Sequence, residues 1–369
     1  MRRILVLLAL VLLTAPAAAQ PEPARPNLPR GADANDWEAY FDLGVRLFRE
    51  RPQHAAAAFY WASRIDPTRA EPMLGRWASF YAADQGRWIG WVQDREQTVQ
   101  DPLVLKTDSL LYRAYARNPF VHRGLVVTLY DMLPGRWKME PALRAWFDYG
   151  RGEFAEAARG FAAVWRDNPS RNYWALHDLA LSHAGAGQFD SASVALQRLL
   201  EALRADDQVR VVYFYESKAM HEYALGMLAN ARRDAQGAKA AFERALEEDF
   251  STYPAHVMLA RITQRRSEAV EHLRQAVDIA PDEGYLRYEY ANALATSGRQ
   301  ADAIEQLQHA IRLEPHYADP YYRLATLHDV AGHPELAVPA YRAYLQRAPR
   351  KQAELVERVR ARLAAIGGS

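Results

Sequence analysis

Residues 297–315 read SGRQADAIEQLQHAIRLEP, and residues 331–349 read AGHPELAVPAYRAYLQRAP. The two stretches are 34 residues apart, and they share a glycine at the second position, an alanine at the seventh and a proline at the last. A bulky residue occupies the eleventh position of both, as Leu307 and Tyr341. A third copy of this spacing ends at Pro281, another 34 residues upstream. The chain is therefore built from a repeated unit.

Each residue type that the repeats share has a physical role in a unit of two packed helices. Alanine lets two antiparallel helices approach closely, and the bulky residue fills the space on the facing helix. Glycine tolerates the positive φ of a tight turn, and proline ends the second helix. The same positions recur upstream as Ala269, Leu273, Ala276 and Pro281, as Ala55, Phe59, Ala62 and Pro67, as Ala157, Phe161, Val164 and Pro169, and without the proline as Ala238, Phe242 and Ala245.

This pattern resembles the tetratricopeptide repeat family, whose unit is a helix–turn–helix of 34 residues. Leu43-Gly44 and Leu225-Gly226 stand where the first helix of that family has Leu-Gly. Glycines at positions 152, 187, 298 and 332 fall at the expected turn. The resemblance implies an all-α fold, a right-handed superhelical solenoid of antiparallel helix pairs, with about eight units and a C-terminal capping helix.

The first 19 residues have the composition of an export signal. Arg2 and Arg3 precede the aliphatic run from Ile4 to Leu13, and small residues lead to an expected cleavage after Ala19. The alternative is a membrane anchor, but the run is about half of the roughly 20 residues that a spanning helix needs. We therefore predict an exported protein, periplasmic or secreted, with no membrane span once the signal is removed.

The rest of the chain divides into segments that follow the repeat pattern more or less closely. Residues 20–34 hold four prolines and few apolar side chains, so we expect a linker that buries nothing. Residues 107–117 are expected to form the second helix of the second unit. The predicted segments are a signal peptide at 1–19, the Pro-rich linker at 20–34, irregular units at 35–134 with an aromatic insertion at 85–102, central units at 138–250, regular units at 252–349 and a capping helix at 350–366.

Charge and composition argue against several functional classes. The 46 Lys and Arg nearly balance the 45 Asp and Glu, so no net field favours nucleic acid. The chain has no cysteine, which excludes disulfides, thiolate metal sites and cysteine nucleophiles. None of the 11 histidines forms a metal-binding pair with a carboxylate at helical spacing, and no phosphate-binding glycine loop or nucleophile elbow is present. We predict no enzyme, no cofactor and no metal; the remote alternative is an enzyme whose site is assembled from distant units.

The resemblance implies a binding groove, because in this family the first helices of the units line a concave surface that holds peptides or partner helices. Tyrosine and tryptophan supply contact area there, and an amide can bind a peptide backbone. Alternatively, some of the tyrosines pack between neighbouring first helices. Some family members bind a C-terminal carboxylate, but the lysines they use are missing here. The candidate groove residues are Trp174, His177, Tyr285, Tyr288, Asn292, Thr296, Tyr322, Arg323, Thr326 and Asp329.

Trp88 and Trp91 in the aromatic insertion support a second hypothesis. Exposed rings of this kind stack on sugars, which would make the chain a glycan- or peptidoglycan-associated module. The competing interpretation is that the insertion folds back and buries both rings, because large exposed aromatic patches are uncommon. The preferred prediction is a non-catalytic scaffold that binds a protein or peptide partner in its groove.

Overall fold

The computed structural model describes residues 22–83, 102–120, 140–205 and 217–367. The N-terminal helices are α1 (Trp37–Leu47), α2 (Pro52–Ile65), α3 (Glu71–Ala83) and α4 (Pro102–Arg117). The central helices are α5 (Pro141–Gly150), α6 (Phe154–Asp167), α7 (Ala175–Gly185), α8 (Phe189–Ala205), α9 (Lys218–Ala231) and α10 (Ala235–Glu248). The C-terminal helices are α11 (Tyr253–Ile262), α12 (Arg266–Ile279), α13 (Gly284–Thr296), α14 (Gln300–Leu313), α15 (Asp319–Val330), α16 (Pro334–Arg347) and α17 (Ala353–Ala365).

Consecutive helices pack as antiparallel pairs. From α5 onward, each pair is joined by a turn of three residues, such as residues 297–299 between α13 and α14. The second helix of a pair contacts the first helix of the next pair between α2 and α3 and at every junction from α6 to α15, so these pairs stack on one another. Across the described ranges all regular secondary structure is helical. The expected all-α, tetratricopeptide-like solenoid is confirmed.

The Leu-Gly positions are contact points within the pairs. Phe242 of α10 is completely buried, and its ring lies against Gly226 of α9. A Cβ atom on Gly226 would lie 2.4 Å from this ring. The pair α1/α2 repeats the arrangement, because a Cβ on Gly44 would lie 2.6 Å from the buried ring of Phe59. Glycine is needed here for close approach of two helices.

The turn glycines adopt the left-handed backbone conformation. The φ angles are 80° at Gly152, 72° at Gly187, 82° at Gly298 and 78° at Gly332. The turn between α9 and α10 departs from the rule, because Arg233 has a φ of 62° there. A side chain with a Cβ is strained in this region, whereas glycine is not.

Replacing Arg233 by glycine is therefore expected to stabilise the protein. Relief of the left-handed strain exceeds the extra backbone entropy of glycine in the unfolded chain, so the free energy of unfolding should rise by about 0.5–1 kcal/mol. Urea unfolding followed by circular dichroism measures this change. Gly298→Ala is the matched control, since it introduces the same strain and should lower stability. An Arg233→Gly chain no more stable than the parent would contradict the argument.

The Pro-rich segment is packed against the repeats, contrary to the expectation that it buries nothing. The indole Nε1 of Trp61 in α2 donates a hydrogen bond to the Pro23 carbonyl at 3.0 Å, and the Arg25 guanidinium lies 4.9 Å from the centroid of the same ring. Chain segments rich in proline leave their carbonyls without internal partners, and here donors from a neighbouring helix satisfy one of them. Composition alone does not reveal such donors.

The two ends of the described chain contact each other. The Asn35 amide donates to the Gln346 carbonyl at 2.8 Å, and Lys351 Nζ lies 2.8 Å from Asp36 Oδ1. The backbone N–H of Arg350 donates to the Asp33 carboxylate at 2.6 Å. The N-terminal helices therefore lie against the C-terminal repeats, which a linear solenoid does not predict.

The last helix covers the end of the array. α17 buries Val359 and Leu363 against the last helix pair and exposes its charged face, after a 3-10 turn at Arg350–Gln352. In the part of the chain that the structure describes, no helix is long and apolar enough to cross a bilayer. The predicted signal peptide at 1–19 and the insertion residues Trp88 and Trp91 lie outside the described residues.

Candidate functional site

The candidate groove is the surface formed by the first helices α7, α9, α11, α13 and α15. Helix α4 packs on α3, as expected of a second helix, but its last two turns also contact four of these first helices. We call the contacted surface the groove centre. It consists of His177, Tyr223, Tyr253, Glu283 and Tyr285.

Aromatic side chains form one half of this contact. The ring of Tyr115 stacks on His177 of α7 with centroids 5.8 Å apart, and its hydroxyl lies 3.3 Å from His177 Nε2. The ring of Tyr112 meets Tyr253 of α11 edge-on at 5.8 Å. Because these two tyrosines are three residues apart, they lie on the same face of α4. That face is turned toward the groove centre.

The backbone of α4 is also bound. The hydroxyl of Tyr223 in α9 donates a hydrogen bond to the Ala116 carbonyl at 2.8 Å, and Tyr223 is 1 % exposed. Residues in the last turn of a helix have no intrahelical partner for their carbonyls. Tyr223 therefore satisfies an acceptor at the C-terminal end of α4 and fixes its position along the groove.

A buried ion pair forms the other half of the contact. Arg117 Nη2 lies 2.6 Å from Glu283 Oε2, with only 3 % and 9 % of the two side chains exposed. Arg113 pairs with the same carboxylate, and the Arg117 guanidinium lies 4.3 Å from the centroid of the Tyr285 ring. Burial alone would raise the pKa of Glu283, but the two guanidiniums outweigh it and lower this pKa to about 2. Glu283 is therefore ionised at neutral pH.

A second buried pair joins α2 to the loop after α14. Arg64 Nη1 lies 2.5 Å from Glu314 Oε2, and Arg64 Nη2 donates to the Leu313 carbonyl at 2.9 Å. Burial raises the pKa of Glu314 to about 7 despite the opposing effect of Arg64. Glu283 and Glu314, two of the buried carboxylates, thus bind arginines that come from the N-terminal helices.

Two predicted groove residues lie at the groove centre and face the chain itself. Tyr285 is 5 % exposed because Arg117 lies over its ring, and His177 is covered by Tyr115. Tyr285 is closed to a partner while α4 is in place, whereas 17 % of the His177 side chain stays exposed. Sequence reasoning missed the arginines of α4, since charges four residues apart on a helix usually face solvent.

Three other predicted residues lie together on α13 and α15, beyond α4. We call Tyr288, Asn292 and Arg323 the groove end. Burial raises the pKa of Tyr288, and the neighbouring Asn292 side chain opposes this rise. The Tyr288 ring contacts Tyr317 at 5.6 Å. Nε of Arg323 is buried, and among the described residues no atom accepts a hydrogen bond from it.

The remaining predicted residues have varied surroundings. Tyr322 of α15 packs at 5.3 Å on Tyr344 of α16, the second helix of its own pair, and not on a neighbouring first helix. Asp329 is occupied within the chain, since it pairs with Arg362 at 2.7 Å and accepts a hydrogen bond from Tyr341 at 3.0 Å. Trp174 is 39 % exposed. The hydroxyls of Thr296 and Thr326 donate hydrogen bonds to backbone carbonyls of their own helices.

Within residues 22–83, 102–120, 140–205 and 217–367, no three His, Cys, Asp or Glu side chains are arranged to hold a metal ion. The polar groups of the groove are tyrosine hydroxyls, an amide, a guanidinium and a buried carboxylate.

Comparisons with known proteins agree with the repeat pattern. Residues 263–348 match the tetratricopeptide repeat family. The structure is similar to the crystal structure of YrrB, "a TPR protein with an unusual peptide-binding site", with 18% identity, 52% of this chain and 93% of that chain covered, and a TM-score of 0.41. It is also similar to MamA from Desulfovibrio magneticus RS-1, with 15% identity, 49% and 95% covered, and a TM-score of 0.41.

A third similar structure is the C-terminal part of a TPR repeat-containing protein from Cytophaga hutchinsonii. The identity is 13%, the match covers 56% of this chain and 78% of that chain, and the TM-score is 0.46. No curated protein sequence matches the chain. Arrays of this kind present concave surfaces that bind other proteins, so the fold suggests a protein–protein interaction scaffold. The match is confined to residues 263–348, and the helix pairs and turn glycines upstream of it follow the same pattern.

Proposed function

We propose that this protein is a non-catalytic scaffold of the periplasm or cell envelope that binds a helix or extended peptide of a partner protein at the groove end. The observation that carries the proposal is the guanidinium of Arg323, whose buried Nε has no acceptor among the described residues. A buried donor without an acceptor is costly, so a partner that turns the Arg323 side chain outward and supplies an acceptor gains a hydrogen bond and removes the penalty.

The neighbours of Arg323 define what the partner offers. Tyr288 and Asn292 place an aromatic ring, a hydroxyl and an amide beside the guanidinium. A ring supplies contact area to apolar side chains, while the amide and the guanidinium bind carbonyl or carboxylate oxygens. We therefore propose a partner segment that presents a carboxylate or a backbone carbonyl to Arg323 and an apolar side chain to Tyr288.

The groove end is tested by combining Tyr288→Ala with Arg323→Gln. Loss of a central aromatic and a central arginine is expected to weaken partner binding by about 100-fold, since such residues supply most of the binding energy in an interface. Affinity capture from an envelope extract identifies the partner by mass spectrometry, and calorimetry with the purified partner gives the dissociation constant. The helical circular dichroism signal should remain unchanged.

Arg360→Gln is the matched control, because Arg360 forms only an exposed pair with Glu357 on α17 and should leave binding unaltered. A groove-end variant that captures the same partner with the parent's affinity contradicts the proposal. The extract also tests location, which rests on the predicted leader. A partner captured from cytosolic extract and missing from envelope extract would contradict the export.

A further inference from the structure

The groove centre has the features of a binding surface that is already occupied. Its partner is α4 of the same chain, which is held by a stacked ring, a hydrogen bond to a helix-terminal carbonyl and two arginines on one carboxylate. Tyrosine and arginine, which α4 presents here, are enriched at interfaces between proteins and act there as anchors. The contacts of α4 therefore indicate which side chains a ligand helix needs in order to bind the groove centre.

The fit of α4 leaves one polar group unsatisfied. The hydroxyl of Tyr253 is buried in the groove centre, and it has no hydrogen-bond partner within the described part of the chain. The Tyr112 ring lies beside it and contributes an edge-on ring contact. A ligand helix with an acceptor at that position would satisfy Tyr253, so α4 is not the best helix that this surface can bind.

We propose that the groove centre is a second binding surface of the scaffold, and that its partner is an α-helix with two arginines four residues apart and a tyrosine between them. α4 presents this arrangement as Arg113, Tyr115 and Arg117. The two arginines bind Glu283 and the tyrosine stacks on His177. This proposal extends the proposed scaffold function to a surface that does not include the groove end.

A partner helix must replace α4 to reach this surface. Because α4 belongs to the same chain, its effective concentration at the groove is in the millimolar range or above, and a free helix competes poorly with it. A substitution that weakens the contacts of α4 with the groove centre makes this competition easier. It therefore raises the apparent affinity of the chain for a helix added in trans. The chain's own α4 supplies the probe.

The experiment titrates a fluorescent peptide of residues 102–120 into the full-length chain and follows its anisotropy. Arg117→Ala loosens α4 and leaves Glu283 with a vacant position for the peptide's arginine. We expect this variant to bind the peptide at least about tenfold more tightly than the parent. Adding Glu283→Gln to the same chain should abolish that gain. A control peptide with alanine at 113 and 117 should bind neither chain.

Equal peptide affinity of the parent and the Arg117→Ala chain would overturn the proposal, and so would equal affinity of the two peptides. Tyr115→Ala is a second way to loosen α4 without touching the ion pair, and it should also increase peptide binding. If neither loosened chain folds, α4 is an obligatory part of the core and the proposal is wrong. These outcomes are independent of the capture experiment, because Tyr288 and Arg323 remain intact in every chain used here.

Discussion

Replacing Glu283 by alanine is expected to lower the free energy of unfolding by about 3–5 kcal/mol, the cost of leaving one member of a buried ion pair without its partner. Only 3 % of the Arg117 side chain is exposed, so water cannot take the place of the lost carboxylate. Arg113, which shares that carboxylate, loses its partner at the same time. Urea unfolding followed by circular dichroism measures the change.

Asp302→Ala is the control for this prediction. Asp302 forms an exposed pair with Arg299, and removing an exposed pair costs at most about 1 kcal/mol. A second comparison separates the charges from packing. Glu283→Leu combined with Arg113→Met and Arg117→Met removes all three charges and should recover most of the stability. If Glu283→Ala and Asp302→Ala are equally mild, Arg117 is hydrated in solution and the contact between α4 and α13 is looser than described.

Replacing Gly226 by alanine is expected to lower stability by about 1–3 kcal/mol, because the added Cβ would crowd the buried ring of Phe242. Helix propensity predicts the opposite sign, since alanine in a helix is better than glycine by about 1 kcal/mol. The sign of the measured change therefore decides between crowding and propensity. Phe242→Leu in the same chain removes ring atoms at the contact and should restore part of the loss. A Gly226→Ala chain more stable than the parent would rule out the close approach of α9 and α10.

The helix pairs could be predicted because they depend on residues near each other in the sequence. The alanine, the bulky residue and the turn glycine of one unit lie within about one repeat, so their spacing is visible as a period. The turn at Arg233 could be predicted only from its place in the repeat. The turn keeps its left-handed backbone although the glycine that signals it is missing.

The place of α4 could not be predicted in the same way. Arg117 and Glu283 are 166 residues apart, and neither belongs to the repeated pattern. An arginine beside a distant carboxylate has no periodic signal, and both types of residue are usually exposed. Apart from Trp174, the predicted groove residues lie on first helices, but the accessibility of His177 and Tyr285 depends on this one distant helix. Tyr285 and Tyr288 lie three residues apart, and only Tyr285 is covered by an arginine of α4.

The contact between the two ends of the chain changes how the array loses its structure. In an open array each repeat is held by its neighbours alone, so the terminal repeats fray first and unfolding spreads inward. Here Asn35 binds the Gln346 carbonyl, and neither terminal pair can open without breaking contacts of the other. Such contacts, 311 residues apart in sequence, form only after a long loop has closed, and so they come late in folding. Once formed, they leave the array without a free end from which it can unravel.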